Sequence, residues 1–194
     1  MIRAGELLAA GKEGEDRADL PYVCPRCKGP LTRDAEAYRC AACAAEYPIV
    51  LGIPDFRVFP DPWLGYEEDR VKARRVAARY DELDFAGLVE YYWQLTPDTP
   101  PDLARRYIRH ALGGVERGRS SLDEIARLAQ GPPRDAPFLE VGCGTGGFLV
   151  AAATRDAERF ERVVGIDIAM RWLVIARKRL EEAGVDAELA CCCG

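Results

Sequence analysis

Apolar and polar positions change their rhythm three times along the 194-residue chain. Residues 1–20 are polar and glycine-containing, with Leu7 and Leu8 as an isolated apolar pair, and read as a flexible lead-in. Residues 21–60 show little helical periodicity. The apolar run Tyr47-Pro48-Ile49-Val50-Leu51-Gly52-Ile53-Pro54 among turn residues predicts short strands and tight turns, and Pro60-Asp61-Pro62 marks the exit from this module. Residues 61–135 form a helical connector by pattern, with helices predicted over Tyr66 to Tyr80, Phe85 to Leu95, Asp102 to Leu112 and Ser121 to Gln130. Pro97, Pro100-Pro101, Gly113-Gly114 and Gly131-Pro132-Pro133 separate them, and the spacing of Ser121 to Glu124 reads as a capping box opening the last. Over residues 136–194 the texture becomes strand, helix, strand, helix, strand. Phe138 to Val141 is followed by an apolar helix near Phe148 to Thr154, then by a strand from Arg162 to Asp167. A helix from Ala169 to Ala183, with Trp172, Ile175, Ala176 and Leu180 on one face, leads to a strand from Val185 to Ala190. That alternation predicts an α/β fold with a parallel sheet and helical crossovers.

Composition adds limits. The chain is 48% hydrophobic and 30% charged, with 27 Lys and Arg against 32 Asp and Glu and a net charge of −5. A strongly basic nucleic-acid coat and a long acidic tail are both excluded. No stretch approaches the roughly 18 apolar residues of a membrane span. The N-terminus turns acidic at Glu13, Glu15 and Asp16, unlike a secretory signal. A soluble, cytoplasmic chain is expected.

Eight cysteines sharpen that expectation. Cys24, Cys27, Cys40 and Cys43 form two CxxC pairs, Cys143 stands alone, and Cys191-Cys192-Cys193 lie near the end. This distribution suits a reducing compartment and a metal site better than a disulfide framework. Two knuckles can bring four thiolates to the corners of a tetrahedron about Zn²⁺, and with every position filled by sulfur such a zinc is structural. A module of about 40 residues buries too little core to fold alone, and the metal supplies the difference. A redox CxxC is the competing reading, but such a pair normally stands alone at a helix start.

The segment Cys24-Pro25-Arg26-Cys27-Lys28-Gly29-Pro30-Leu31, the second pair Cys40-Ala41-Ala42-Cys43, and Tyr47-Pro48-Ile49-Val50-Leu51-Gly52-Ile53-Pro54 together resemble the zinc-ribbon family of small activator subunits of tRNA and protein methyltransferases. The resemblance covers residues 22–56 and implies a ribbon that docks on a methyltransferase domain.

Glu140-Val141-Gly142-Cys143-Gly144-Thr145-Gly146-Gly147 lies between a predicted strand and helix, where glycines let the backbone turn sharply and approach a ligand. Asp167 closes the next strand, where a carboxylate can accept from both hydroxyls of a ribose. Gly142, Gly144 and Gly147 also satisfy the dinucleotide fingerprint GxGxxG, so an NAD-binding protein is the alternative on motif grounds. Glu140 and Gly146 favour a different cofactor. Leu139 to Gly146 resembles the first motif of class I S-adenosylmethionine-dependent methyltransferases, and Gly165-Ile166-Asp167-Ile168 resembles their second. This resemblance covers residues 137–190. It implies a Rossmann-like domain in which Glu140 lies near the methionine end of the cofactor, Gly142, Gly144 and Gly146 pass beneath it, and Asp167 holds the ribose.

Other features take plainer readings. Arg70, Lys72, Arg74, Arg75 and Arg79 are interleaved with Glu67, Glu68, Asp69, Asp81 and Glu82, which describes a solvated helix laced with ion pairs rather than an RNA grip. Tyr91, Tyr92 and Trp93 suit core, or a cover over the cofactor cleft. His110 reads as a surface or capping residue, and Cys143 as a small residue tolerated in its loop. The expected activity is methyl transfer to an acceptor that is RNA or a small molecule, with no side chain identified as catalytic. A non-catalytic ribbon protein that docks on a partner methyltransferase is the contrasting expectation, against which Glu140, the glycines and Asp167 stand. The fold resembled has seven strands, and three can be drawn from Phe138 onward, so the chain is expected to hold the N-terminal half of that domain and to be inactive alone.

Overall fold

The computed structural model describes residues 22–128, 136–155 and 160–193. The lead-in, Gln130 and Gly131-Pro132-Pro133 lie outside them.

The first part is an antiparallel meander of β1 (Leu31–Arg33), β2 (Ala37–Cys40), β3 (Glu46–Val50) and β4 (Ile53–Pro54), paired in that order. Its interior is small. Tyr22, Tyr38, Tyr47 and Phe56 meet at ring-centroid distances between 4.9 and 5.5 Å, and Phe56 also packs in a cluster with Ala190 of the second sheet.

Four helices follow: α1 (Tyr66–Ala77), α2 (Phe85–Gln94), α3 (Pro101–Leu112) and α4 (Gly114–Leu128). The sequence places the start of the last at a Ser121 cap. Instead α4 runs unbroken from Gly114, and Ser121 sits inside it. Packing explains the difference. A Cβ on Gly118 would stand 2.8 Å from the Ala151 Cβ, and one on Gly147 would stand 2.6 Å from the Gly114 backbone. The helix interior tolerates these glycines because they let α4 lie directly on the helix that follows the glycine loop, and that contact outweighs their low helix propensity.

The second sheet is parallel, in the order β5 (Ala136–Val141), β6 (Phe160–Asp167), β7 (Glu188–Cys191). Helix α5 (Gly147–Arg155) and helix α6 (Met170–Glu182) make the crossovers. The last strand begins later than the expected Val185, because Gly184 and Val185 finish the helix: Gly184 takes φ +65°, and the Gly184 and Val185 amides donate to the Glu181 and Leu180 carbonyls. Helix α6 is buried on more than its expected stripe, since Met170, Leu173, Val174, Ile175, Ala176 and Leu180 are all in the core. One side meets the sheet, while α1 and α2 cover the other with Ala73, Val76, Leu88 and Val89. On β5, Leu139 and Val141 are 57% and 64% exposed.

The two sheets meet at β7. Asp55 bridges Cys191 in parallel sense, and the Phe56 amide donates to the Cys191 carbonyl at 2.7 Å. The exit of the meander thus extends the parallel sheet beyond its third strand. Among the described residues no helix is long and apolar enough to cross a membrane.

Candidate functional site

Two knuckle turns place the four paired cysteines together. The Lys28 amide returns to the Cys24 carbonyl at 2.8 Å, and the Cys40 amide reaches the Ala45 carbonyl at 2.9 Å. Cys24 Sγ lies 3.6 Å from Cys43 Sγ, and Cys27 Sγ lies 3.4 Å from Cys40 Sγ. All four sulfurs fall within 4.8 Å of one another. A tetrahedron of sulfurs with metal bonds of about 2.3 Å has edges of about 3.8 Å, so this donor set fits zinc. Tyr47 brings its hydroxyl to 3.1 Å from Cys24 Sγ, tying the ribbon's aromatic core to the cluster.

The second site begins where β5 runs into the glycine loop. Gly142 and Gly144 take φ values of +76° and +51°, in the left-handed region, and a Cβ on either would meet no protein atom within 4 Å. Their open side faces a cavity of about 360 Å³, a size that small-molecule sites occupy. Glu140, Gly142 and Gly144 line it together with the aromatic side chains of Trp93, Tyr107 and Trp172. Trp93 and Tyr107 are stacked 5.0 Å apart with 6° between their planes.

Glu140 is the polar anomaly of this cavity. Its Oε2 is buried and has no hydrogen-bond partner among the described residues. Burial raises the carboxyl to about 7, the Leu149 backbone amide offsets part of that rise, and the negative Asp167 adds to it. A buried carboxylate oxygen without a partner, on a residue that lines a cavity bordered by open glycines, fits a ligand with a donor or cation at that end.

Asp167 stands differently. Its Oδ2 accepts from the Gly144 amide and its Oδ1 from the Ala169 amide, both at 2.8 Å. It therefore braces the glycine loop from the strand side, with a free lone pair on each oxygen, and is not part of the cavity wall. Gly146 lies behind the loop, where a Cβ would come within 3.2 Å of the Ala176 Cβ. The nucleoside motif accordingly divides into Glu140, Gly142 and Gly144, which face the cavity, and Gly146 and Asp167, which shape the loop.

The remaining features fall into place. Cys143 is buried, and burial together with the charges of Asp167 and Glu140 pushes its thiol up, which suits packing rather than nucleophilic attack. His110 is exposed at the last turn of α3 and borders the cavity. Lys72 and Arg74 pair with Glu68 and Glu67 on the solvated face, and Arg79 pairs with Glu82 just past the helix, but the solvated reading fails for Asp69, which is buried, and for Arg70, which reaches the buried Asp55. Of the three aromatic neighbours, Tyr92 is core, Trp93 faces the cavity, and Tyr91 lies under Arg79. Sequence reading missed Tyr107 and Trp172 as wall residues and Arg179 as a brace. The Arg179 guanidinium spans from the Ala111 carbonyl at 2.5 Å to Thr145 Oγ1 at 3.4 Å. The spacing of Trp93, Tyr107 and Trp172 in the chain holds no motif, since three different helices deliver them.

Residues 138–193 match a family model described as a methyltransferase domain. A solved structure of an S-adenosylmethionine-dependent methyltransferase from Clostridium acetobutylicum ATCC 824 is similar over 40% of this chain, with 18% identity and a TM-score of 0.33. The aligned part spans 29% of that protein's length. No curated protein matches the chain.

Proposed function

We propose that this chain belongs to an S-adenosylmethionine-dependent methyltransferase whose cofactor lies across the glycine loop, with a structural zinc held by Cys24, Cys27, Cys40 and Cys43 in a ribbon of the activator type. The observation that carries the reading is the buried, partnerless carboxylate oxygen of Glu140, a residue that lines the same cavity as the open Gly142 and Gly144. The family match over residues 138–193 supports it.

When bound, S-adenosylmethionine supplies a methyl group on a sulfonium that is its own leaving group. The chain's task is then alignment and exclusion of water. Glu140 would accept from the ammonium of the methionyl end, Gly142 and Gly144 would let the backbone approach the cofactor, and Asp167, outside the cavity wall, would accept from the ribose hydroxyls only where the cofactor runs past Gly144 along the loop. Trp93, Tyr107 and Trp172 dry the cavity and present the acceptor, an RNA base or a small molecule in the cytoplasm.

Calorimetric titration of the chain with S-adenosylmethionine and with NAD tests this. Binding of the first alone is expected, and Asp167→Ala should weaken it by about 1.5–3 kcal/mol through lost charged hydrogen bonds. Tight NAD binding with no response to S-adenosylmethionine would reverse the assignment.

A further inference from the structure

Helix α6 begins three residues after the candidate ribose acid, and its own sequence gives it no cap. Ala169 occupies the N-cap position in an extended conformation with φ −101° and ψ 105°, and offers no side-chain acceptor. The cap comes from elsewhere. Asp69 of helix α1 is 1% exposed and accepts from the Met170 amide at 2.7 Å through Oδ2. Its Oδ1 takes the Arg171 guanidinium at 2.6 Å.

A second residue joins this cap to the ribbon. The Arg57 side chain is fully buried just past the ribbon's last strand. Its Nε and Nη2 grip Asp55 in a fork of 2.8 and 2.6 Å, and its Nη1 reaches Asp69 Oδ2 at 2.7 Å. The same Nη1 donates to the Ile168 carbonyl at 2.9 Å, one residue beyond Asp167. Arg70 closes the set on Asp55 at 2.9 Å. Every charge in the group is paired, as burial requires. Asp55 is followed by Phe56, whose ring packs against Tyr47, and Tyr47 touches the Cys24 sulfur. A continuous chain of contacts therefore runs from the metal cluster to the turn between β6 and α6.

We infer that Arg57 and Asp69 are positioning residues for the cofactor: they clamp the turn Asp167–Met170, so that an intact, metal-loaded ribbon raises the affinity of a nucleoside site it does not touch. The inference rests on the function proposed above, and it adds a coupling between two sites that the motifs leave independent. Neither residue lines the cavity. Their effect passes through Ile168 and Met170, which fix the backbone on either side of the Ala169 amide that orients the Asp167 carboxylate.

The test combines hydrogen exchange of the full chain with calorimetric titration of S-adenosylhomocysteine. In Asp69→Ala, with zinc content unchanged, the segment 167–171 should exchange faster and the dissociation constant should rise roughly tenfold, the scale of one charged hydrogen bond. Adding Ala169→Ser, which returns a cap in cis, should restore much of both. A folded, metal-loaded Asp69→Ala chain with wild-type exchange and affinity would overturn the clamp. Should that variant fail to fold, chelation of zinc from the wild-type chain decides: faster exchange at 167–171 supports the coupling, and faster exchange confined to residues 22–56 overturns it. If wild-type chain binds no S-adenosylhomocysteine, the proposed function falls, while the exchange data alone still decide the clamp.

Discussion

Burial holds the Glu140 carboxyl at about 7, well above its ordinary value of 4.5, so its charge changes close to neutrality. The sign of the consequence follows from linkage. A carboxyl whose folded pKa is raised favours the folded chain while it is protonated, and that contribution fades as pH climbs from about 4.5 through 7. A bound ammonium reverses the preference, because it selects the ionised form. Affinity for S-adenosylmethionine should therefore rise about tenfold between roughly pH 5.5 and 7, where the cofactor's amine stays protonated. In Glu140→Gln the binding should be weaker and the profile flat, which titration calorimetry across that interval would show. At the same scale, the residues of the glycine loop were legible in the sequence because their roles are local. Positive φ at Gly142 and Gly144 and the strand-end position of Asp167 depend on neighbours a few residues away. The division between groups that face the cavity and groups that brace the loop was not legible, because it depends on where Ala176 and Ala169 come to lie.

Elements show the same contrast between local and distant causes. The two knuckles are fixed by covalent spacing, and their four sulfurs meet as the CxxC pairs require. Metal analysis should find one zinc per chain, and Cys40→Ser should lose it and melt the ribbon's aromatic cluster, as near-ultraviolet circular dichroism would report. Helix α4 was misread at its start because Gly113-Gly114 looks like a stop and Ser121 like a cap. Only the opposing surface of α5 reveals that Gly114 and Gly118 are there to let two backbones approach. Gly118→Val inserts its branched carbons against Phe148 and Ala151, and overpacking of this kind should destabilise the chain by about 1–3 kcal/mol in urea unfolding. The cavity should suffer as well, since α4 forms part of its wall through Gly114, Arg117 and Ser121. The start of α6 carries a signal that reading for motifs overlooks: a helix opening on Ala169 lacks a cap, and such a helix needs a donor of one from another part of the fold.

For the molecule as a whole, the joining of ribbon, connector and parallel sheet was beyond the reach of pattern. Periodicity assigns each its class, but no rule of spacing places Asp55 beside Cys191 or Asp69 at the head of α6. These contacts are long in sequence, and Arg57 and Ile168 are separated by 111 positions. During synthesis the ribbon emerges before the parallel sheet, and its four-cysteine cluster can assemble at once, because all four sulfurs come from residues 24–43. Its exit segment, by contrast, ends in a buried arginine whose acceptors are not all yet made. Until β6 and β7 emerge, Arg57 has Asp55 and Asp69 but lacks the Ile168 carbonyl, and Phe56 lacks both the Cys191 carbonyl and the cover of Ala190. Closing a loop of that length costs entropy that local contacts do not repay, so docking of the ribbon is expected to be a late step, which stopped-flow refolding should show as a phase slower than formation of the ribbon itself. The nascent chain thus carries a finished cysteine cluster with an unfinished seam, and the seam can be sealed only when the last described strand arrives.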